Sequence, residues 1–126
     1  MTIRNVGDKK ILLVEDDELF RKAVCDCLSE RYEIDTVESA EKALRYFETG
    51  PPDLLLLDIN LPGMSGIEFL SKINSKWADL PVILVTALEE ARLVVDFLQL
   101  ETLDCLVKPF SSKKLLRTIE NAFKAN

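Results

Sequence analysis

Four short stretches hold the polar side chains that could act together: Glu15-Asp16-Asp17, Asp58-Ile59-Asn60, Thr86 and Lys108-Pro109. Carboxylates gathered in one pocket repel and raise one another's pKa unless a cation sits among them. The available donors are oxygens, with neither histidine nor a cysteine pair beside them, so a hard divalent ion such as Mg²⁺ is the physical match. It would be held by one or two carboxylates, by water and by a substrate phosphate. Lys108 adds a mobile positive charge and Thr86 a hydroxyl donor. Two cations and a hydroxyl make a receptor for a phosphoryl group. The chain has no histidine, the commonest general base, and no glycine-rich phosphate loop. The economical chemistry therefore makes one carboxylate the nucleophile, leaving an acyl phosphate on the protein. Taken singly, each stretch has an ordinary reading: a helix N-terminal charge, a turn hydroxyl, a solvated lysine, a helix stop. Their coincidence at the ends of apolar runs is what argues for a site.

Those runs are Ile11 to Val14, Ile34 to Val37, Leu54 to Leu57, Val82 to Val85 and Cys105 to Val107. Between and after them lie segments of helical period: Glu18 to Ser29, Ala40 to Thr49, Ile67 to Lys76, Glu89 to Leu100 and Lys113 to Lys124. Phe20, Val24, Cys27 and Leu28 form the apolar stripe of the first, and Leu115, Leu116, Ile119 and Phe123 that of the last. Gly50-Pro51-Pro52 ends a helix, Leu61 to Gly66 is a loop, and Ser65 and the Ser111-Ser112 pair are N-cap candidates. Three runs are apolar without alternation, which predicts central parallel strands covered on both faces. Repeated right-handed βα units then give an open α/β sandwich, with any site at the carboxyl ends of the central strands.

A chain of 126 residues, 48% apolar and 30% charged, falls in the range of a single domain able to bury roughly two thirds of its surface. Its net charge of -6 repels a phosphate backbone, and no basic cluster offsets it, so nucleic-acid binding is not expected. The absence of histidine also counts against serine-triad hydrolases, zinc enzymes and histidine phosphocarriers. Cys25, Cys27 and Cys105 are odd in number and are expected to stay reduced. No segment has the apolar length of a membrane span, and Met1 leads into the polar stretch Thr2 to Lys10, so a cytoplasmic protein without a secretory signal is expected.

Ile11-Leu12-Leu13-Val14-Glu15-Asp16-Asp17, Leu57-Asp58-Ile59-Asn60-Leu61-Pro62-Gly63-Met64-Ser65-Gly66, Val85-Thr86-Ala87 and Lys108-Pro109-Phe110 together resemble the receiver domain of bacterial response regulators. The resemblance implies a flavodoxin-like open sandwich, a five-stranded parallel sheet of order 2-1-3-4-5 with five helices on its two faces. It implies that Asp58 accepts a phosphoryl group from a histidine kinase or phosphotransfer protein. Glu15, Asp16, Asp58 and the backbone carbonyl of Asn60 correspond to the Mg²⁺ ligands, with Mn²⁺ as a substitute ion. Thr86 and Lys108 correspond to the hydroxyl and the lysine that meet the phosphoryl group, and the Lys108-Pro109 peptide is expected to be cis. The domain would be a conformational switch, with catalysis confined to its own phosphorylation and slow dephosphorylation.

Two departures from the family pattern stand out. Cys105 occupies a position where many relatives carry Tyr or Phe, so an inward-turning aromatic ring cannot report activation here. Glu101-Thr102-Leu103 replaces the usual Gly-Ala. Asn60 and Leu88 hold the two positions that tune how fast water removes the phosphoryl group, and an excluding Leu88 implies a phospho-form of intermediate to long lifetime. In the segment Glu89 to Leu100, Ala91, Val94, Val95 and Leu98 form one stripe and Leu93, Phe97 and Leu100 a second on the opposite side. The second stripe is expected to be a dimer or partner surface continuous with the fifth strand. The competing classes fit less well. A haloacid-dehalogenase-type phosphatase wants an aspartate where Asn60 stands, and a flavodoxin-like redox module wants a Ser/Thr/Gly loop where Glu15-Asp16-Asp17 stands. An inactive receiver serving as a scaffold is the third. The chain is expected to be one receiver domain, either complete or the N-terminal piece of a longer regulator.

Overall fold

The computed structural model describes residues 9–87 and 103–124, Leu103 by its backbone alone. Five strands, β1 (Lys10–Val14), β2 (Glu33–Val37), β3 (Leu54–Asp58), β4 (Val82–Thr86) and β5 (Leu103–Val107), lie parallel in the order β2-β1-β3-β4-β5. Four helices stand among the described residues: α1 (Glu18–Leu28), α2 (Ala40–Phe47), α3 (Gly66–Asn74) and α4 (Ser112–Lys124). The fifth expected helical segment, 89–100, lies outside the described residues. The sandwich and the strand order are as the sequence predicts.

The unbroken apolar runs are explained by what covers each face. Leu12, Val14, Leu55, Leu57, Val82 and Leu84 pack with Ala43 and Phe47 of α2 and Phe69, Leu70 and Ile73 of α3. The intervening residues Ile11, Leu13, Leu54, Leu56, Ile83 and Val85 pack with Val24 and Leu28 of α1 and Leu115 and Ile119 of α4. Alternate residues of one strand thus enter two different cores, each buried side chain contributing about 2 kcal/mol relative to exposure. β2, at the sheet edge, is half-exposed.

Cap chemistry sets where the helices begin. Asp17 Oδ1 accepts from the N–H of Leu19 and Phe20, Ser39 Oγ from Lys42, Ser65 Oγ from Glu68 and Ser111 Oγ from Lys114. Of the two candidate serines before α4, Ser111 is therefore the cap and Ser112 the first helical residue. β3 and β4 extend one residue further than the apolar runs, because Asp58 and Thr86 still pair with Val85 and Val107. Asp58 and Thr86 are thereby the last rungs of their strands.

Candidate functional site

Sheet parallelism carries the ends of β1, β3, β4 and β5 to one edge. There Glu15, Asp58 and Thr86 are buried and Asp16 is exposed. The Glu15 backbone is tied to Val37 O and to the guanidinium of Arg21, whose Nη1 donates to Glu15 O at 2.9 Å. Its carboxylate accepts from the N–H of Asp17 at 3.1 Å. Asp58 Oδ1 accepts from the N–H of Asn60 at 2.9 Å. Lys108 reaches in from beyond β5, and its Nζ lies 3.1 Å from Glu15 Oε1 and 3.4 Å from Asp58 Oδ2. The Lys108 N–H donates to Thr86 O at 2.9 Å, which locks the lysine backbone to the end of β4. The Lys108-Pro109 peptide is cis, as expected.

The electrostatics follow from this crowding. Burial pushes the Glu15 carboxyl up to about 7, and the neighbouring Asp58 carboxylate adds to the rise, against the Asp17 N–H and Lys108. Burial works against the Lys108 ammonium, but Asp58 and Glu15 more than reverse it and raise its pKa above the ordinary value. A single lysine therefore faces two buried carboxylates. Glu15, Asp16 and Asp58 each turn a carboxylate oxygen to within 4.8 Å of the others. An all-oxygen set, negative in excess and open to water on the Asp16 side, fits Mg²⁺.

The structure thus brings Glu15, Asp16, Asp58, Thr86 and Lys108 together, with Asn60 at the rim. Cys105 lies on β5 opposite Leu84, half-buried against the core that α2 and α3 cover, and burial raises its thiol pKa. Cys25, Cys27 and Cys105 are all free thiols. Leu88, Leu93, Phe97 and Leu100 lie outside the described residues, as do Glu101 and Thr102.

Sequence reasoning missed three contributors. Arg21 braces the Glu15 backbone, although its place one turn into a helix beside an acidic run was a usable signal. Phe20, read only as core, lies against Lys108, with Nζ 4.3 Å from the ring centroid. Gly66 lets α3 begin against the end of β3. A Cβ there would lie 2.7 Å from Ile59 Cα and 2.8 Å from Asp58 O, closer than backbone atoms allow.

The chain matches the family described as the response regulator receiver domain over residues 11–120. It is 39% identical over 108 residues to the response regulator protein FleR of Pseudomonas aeruginosa, covering 85% of this chain and 23% of that one. It is 31% identical over 116 residues to the chemotaxis protein CheY of Listeria monocytogenes, covering 90% of this chain and 98% of that one. The chain thus spans under a quarter of the length of one relative and nearly all of the other. Among solved structures, the receiver domain of NtrX from Brucella abortus superposes with a TM-score of 0.84 at 29% identity, covering 92% of this chain and 99% of that one. From the strand order to the acidic edge to these relatives, the assignment is the same: this chain belongs to the response regulator receiver domain family.

Proposed function

We propose that Asp58 is the phospho-acceptor of this receiver domain, with Lys108 and Thr86 engaging the bound phosphoryl group and Glu15, Asp16, Asp58 and the Asn60 carbonyl holding Mg²⁺. The observation that carries the reading is the buried Asp58 carboxylate, bonded on one oxygen by the Asn60 N–H and approached on the other by Lys108 Nζ. Receiver domains take phosphoryl groups from histidine kinases. Here an Asp58 oxygen attacks phosphorus, the bond from phosphorus to the donor's nitrogen or oxygen breaks, and the donor keeps that electron pair. Mg²⁺, when bound, supplies positive charge against the phosphoryl oxygens. Lys108 then exchanges its contact with Asp58 for one with a phosphoryl oxygen, and the Thr86 hydroxyl donates to another. The phosphorylated aspartate carries more negative charge than the carboxylate it replaces, which biases the structure around β4 and β5 between two arrangements. Its donor would be a histidine kinase or a phosphotransfer protein, and its compartment the cytoplasm. Among the described residues no helix is long and apolar enough to cross a membrane.

Intact-mass spectrometry after incubation with acetyl phosphate tests this directly. One phosphoryl group is gained by the wild-type chain with Mg²⁺ and none without it, and Asp58→Asn gains none. Uptake by Asp58→Asn would move the acceptor elsewhere. No uptake by either chain would favour the scaffold reading.

A further inference from the structure

Lys108 Nζ has a third neighbour besides its two carboxylates. The ring of Phe20, on the first turns of α1, lies with its centroid 4.3 Å from the nitrogen. That ring is held in turn by Phe110, two residues beyond the lysine, edge to face at 89° with centroids 5.7 Å apart. Both aromatics are half-buried, and Phe20 also packs against the core beneath α1 and α4. The ring beneath the ammonium comes from α1 and is itself braced by Phe110, from the loop before α4.

We infer that Phe20 is a positioning residue for phosphoryl transfer, seating the Lys108 ammonium over the acidic pair. The inference rests on the reading of Asp58 and Lys108 above. An ammonium has three N–H bonds and no acceptor. Two of its neighbours here are carboxylates, and the attraction to the negative ring face supplies a third partner that water would otherwise take. A ring face is also a non-directional partner. The ammonium can slide across it from Asp58 Oδ2 toward a phosphoryl oxygen while keeping the contact, whereas a fixed acceptor would have to be broken and remade. The ring further limits the positions the long side chain can occupy, so less rotamer freedom is lost when the phosphoryl group arrives. In the Phe20→Leu chain the lysine would still be attracted by the carboxylates, but it would be solvated and less confined on its open side.

The test is the initial rate of phosphoryl uptake from acetyl phosphate at saturating Mg²⁺, read by intact mass for the wild type, Phe20→Leu and Phe20→Tyr. Phe20→Leu is expected to be about fivefold slower, the loss a partly desolvated cation–π contact would cause, with Phe20→Tyr within about twofold of the wild type. In a Lys108→Ala background, Phe20→Leu is expected to change the rate no further. NMR gives a readout that needs no phosphorylation. The Lys108 Cε protons should show a ring-current shift upfield that Phe20→Leu abolishes and Phe20→Tyr retains. Equal rates for the wild type and Phe20→Leu, equal slowing in the Lys108→Ala background, or an unchanged Cε shift would each overturn the assignment. The two failures are separable. A wild-type chain that takes up no phosphoryl group removes the reading of Asp58 and this inference with it. A wild-type chain that labels, beside a Phe20→Leu chain that labels as fast, removes the inference alone.

Discussion

Lysine and acidic residues meet at both ends of the sheet, with opposite physical meaning. At the amino end, Lys10 lies 4.0 Å from Glu33 and 3.9 Å from Asp35, all three side chains at least 40% exposed. Each charge there keeps its water, so the pairs contribute little and either partner can be lost cheaply. At the carboxyl end, Lys108 lies between Glu15 and Asp58, whose side chains are 1% and 6% exposed. Those carboxylates have given up their water and share one ammonium between two negative groups, which costs stability unless another cation joins them. The same residue types make surface decoration at one edge and a crowded, buried charge cluster at the other. Burial at the last rung of the strand is the difference.

Breaking the support beneath the carboxyl edge should have the largest effect. Gly66→Ala forces a methyl group into the Asp58 carbonyl and the Ile59 backbone, so a loss of about 3 kcal/mol is expected in urea unfolding, with slower labelling of Asp58. A substitution that keeps the support but relieves the charge should act in the opposite direction. Asp58→Asn leaves one lysine facing one carboxylate, and the metal-free protein should gain about 1 kcal/mol, read as a higher denaturation midpoint. An unchanged or lower midpoint would mean that the two carboxylates are not in conflict. Adding Mg²⁺ should sharpen the contrast, since binding to the folded form raises its melting temperature. Asp16→Asn should remove most of that rise without changing the metal-free midpoint by a comparable amount. The smallest effect belongs to the other edge: Lys10→Ala should shift stability by no more than about 0.5 kcal/mol and leave labelling untouched.

What the sequence made legible follows from which signals are one-dimensional. Ile11 to Val14, Leu54 to Leu57 and Val82 to Val85 betray buried strands by composition alone, and the polar residues that follow them betray the edge at which they converge. The division of labour within Glu15-Asp16-Asp17 is not one-dimensional. Glu15 turns inward to Lys108, Asp16 stays in solvent, and Asp17 spends its carboxylate on capping α1. Three adjacent acids therefore do three jobs that only the fold separates. Phe20 was legible as core because apolar spacing reports that a residue is covered. It does not report what covers it, so the ammonium on its ring was invisible. Gly66 looked like a loop glycine, whereas its need arises from the backbone of β3. The second apolar stripe, Leu93, Phe97 and Leu100, lies in 89–100 and so beyond the described residues. Its role as a contact surface is addressed by self-association of Leu93→Lys with Phe97→Ser.

The lysine that balances the acidic edge stands 93 residues after Glu15 and 50 after Asp58. The β1–β3 pairing sets Glu15 beside Asp58, whereas Lys108 arrives only by way of β5, at the far edge of the sheet. A chain ending before β5 would carry the two carboxylates without the lysine that both contact.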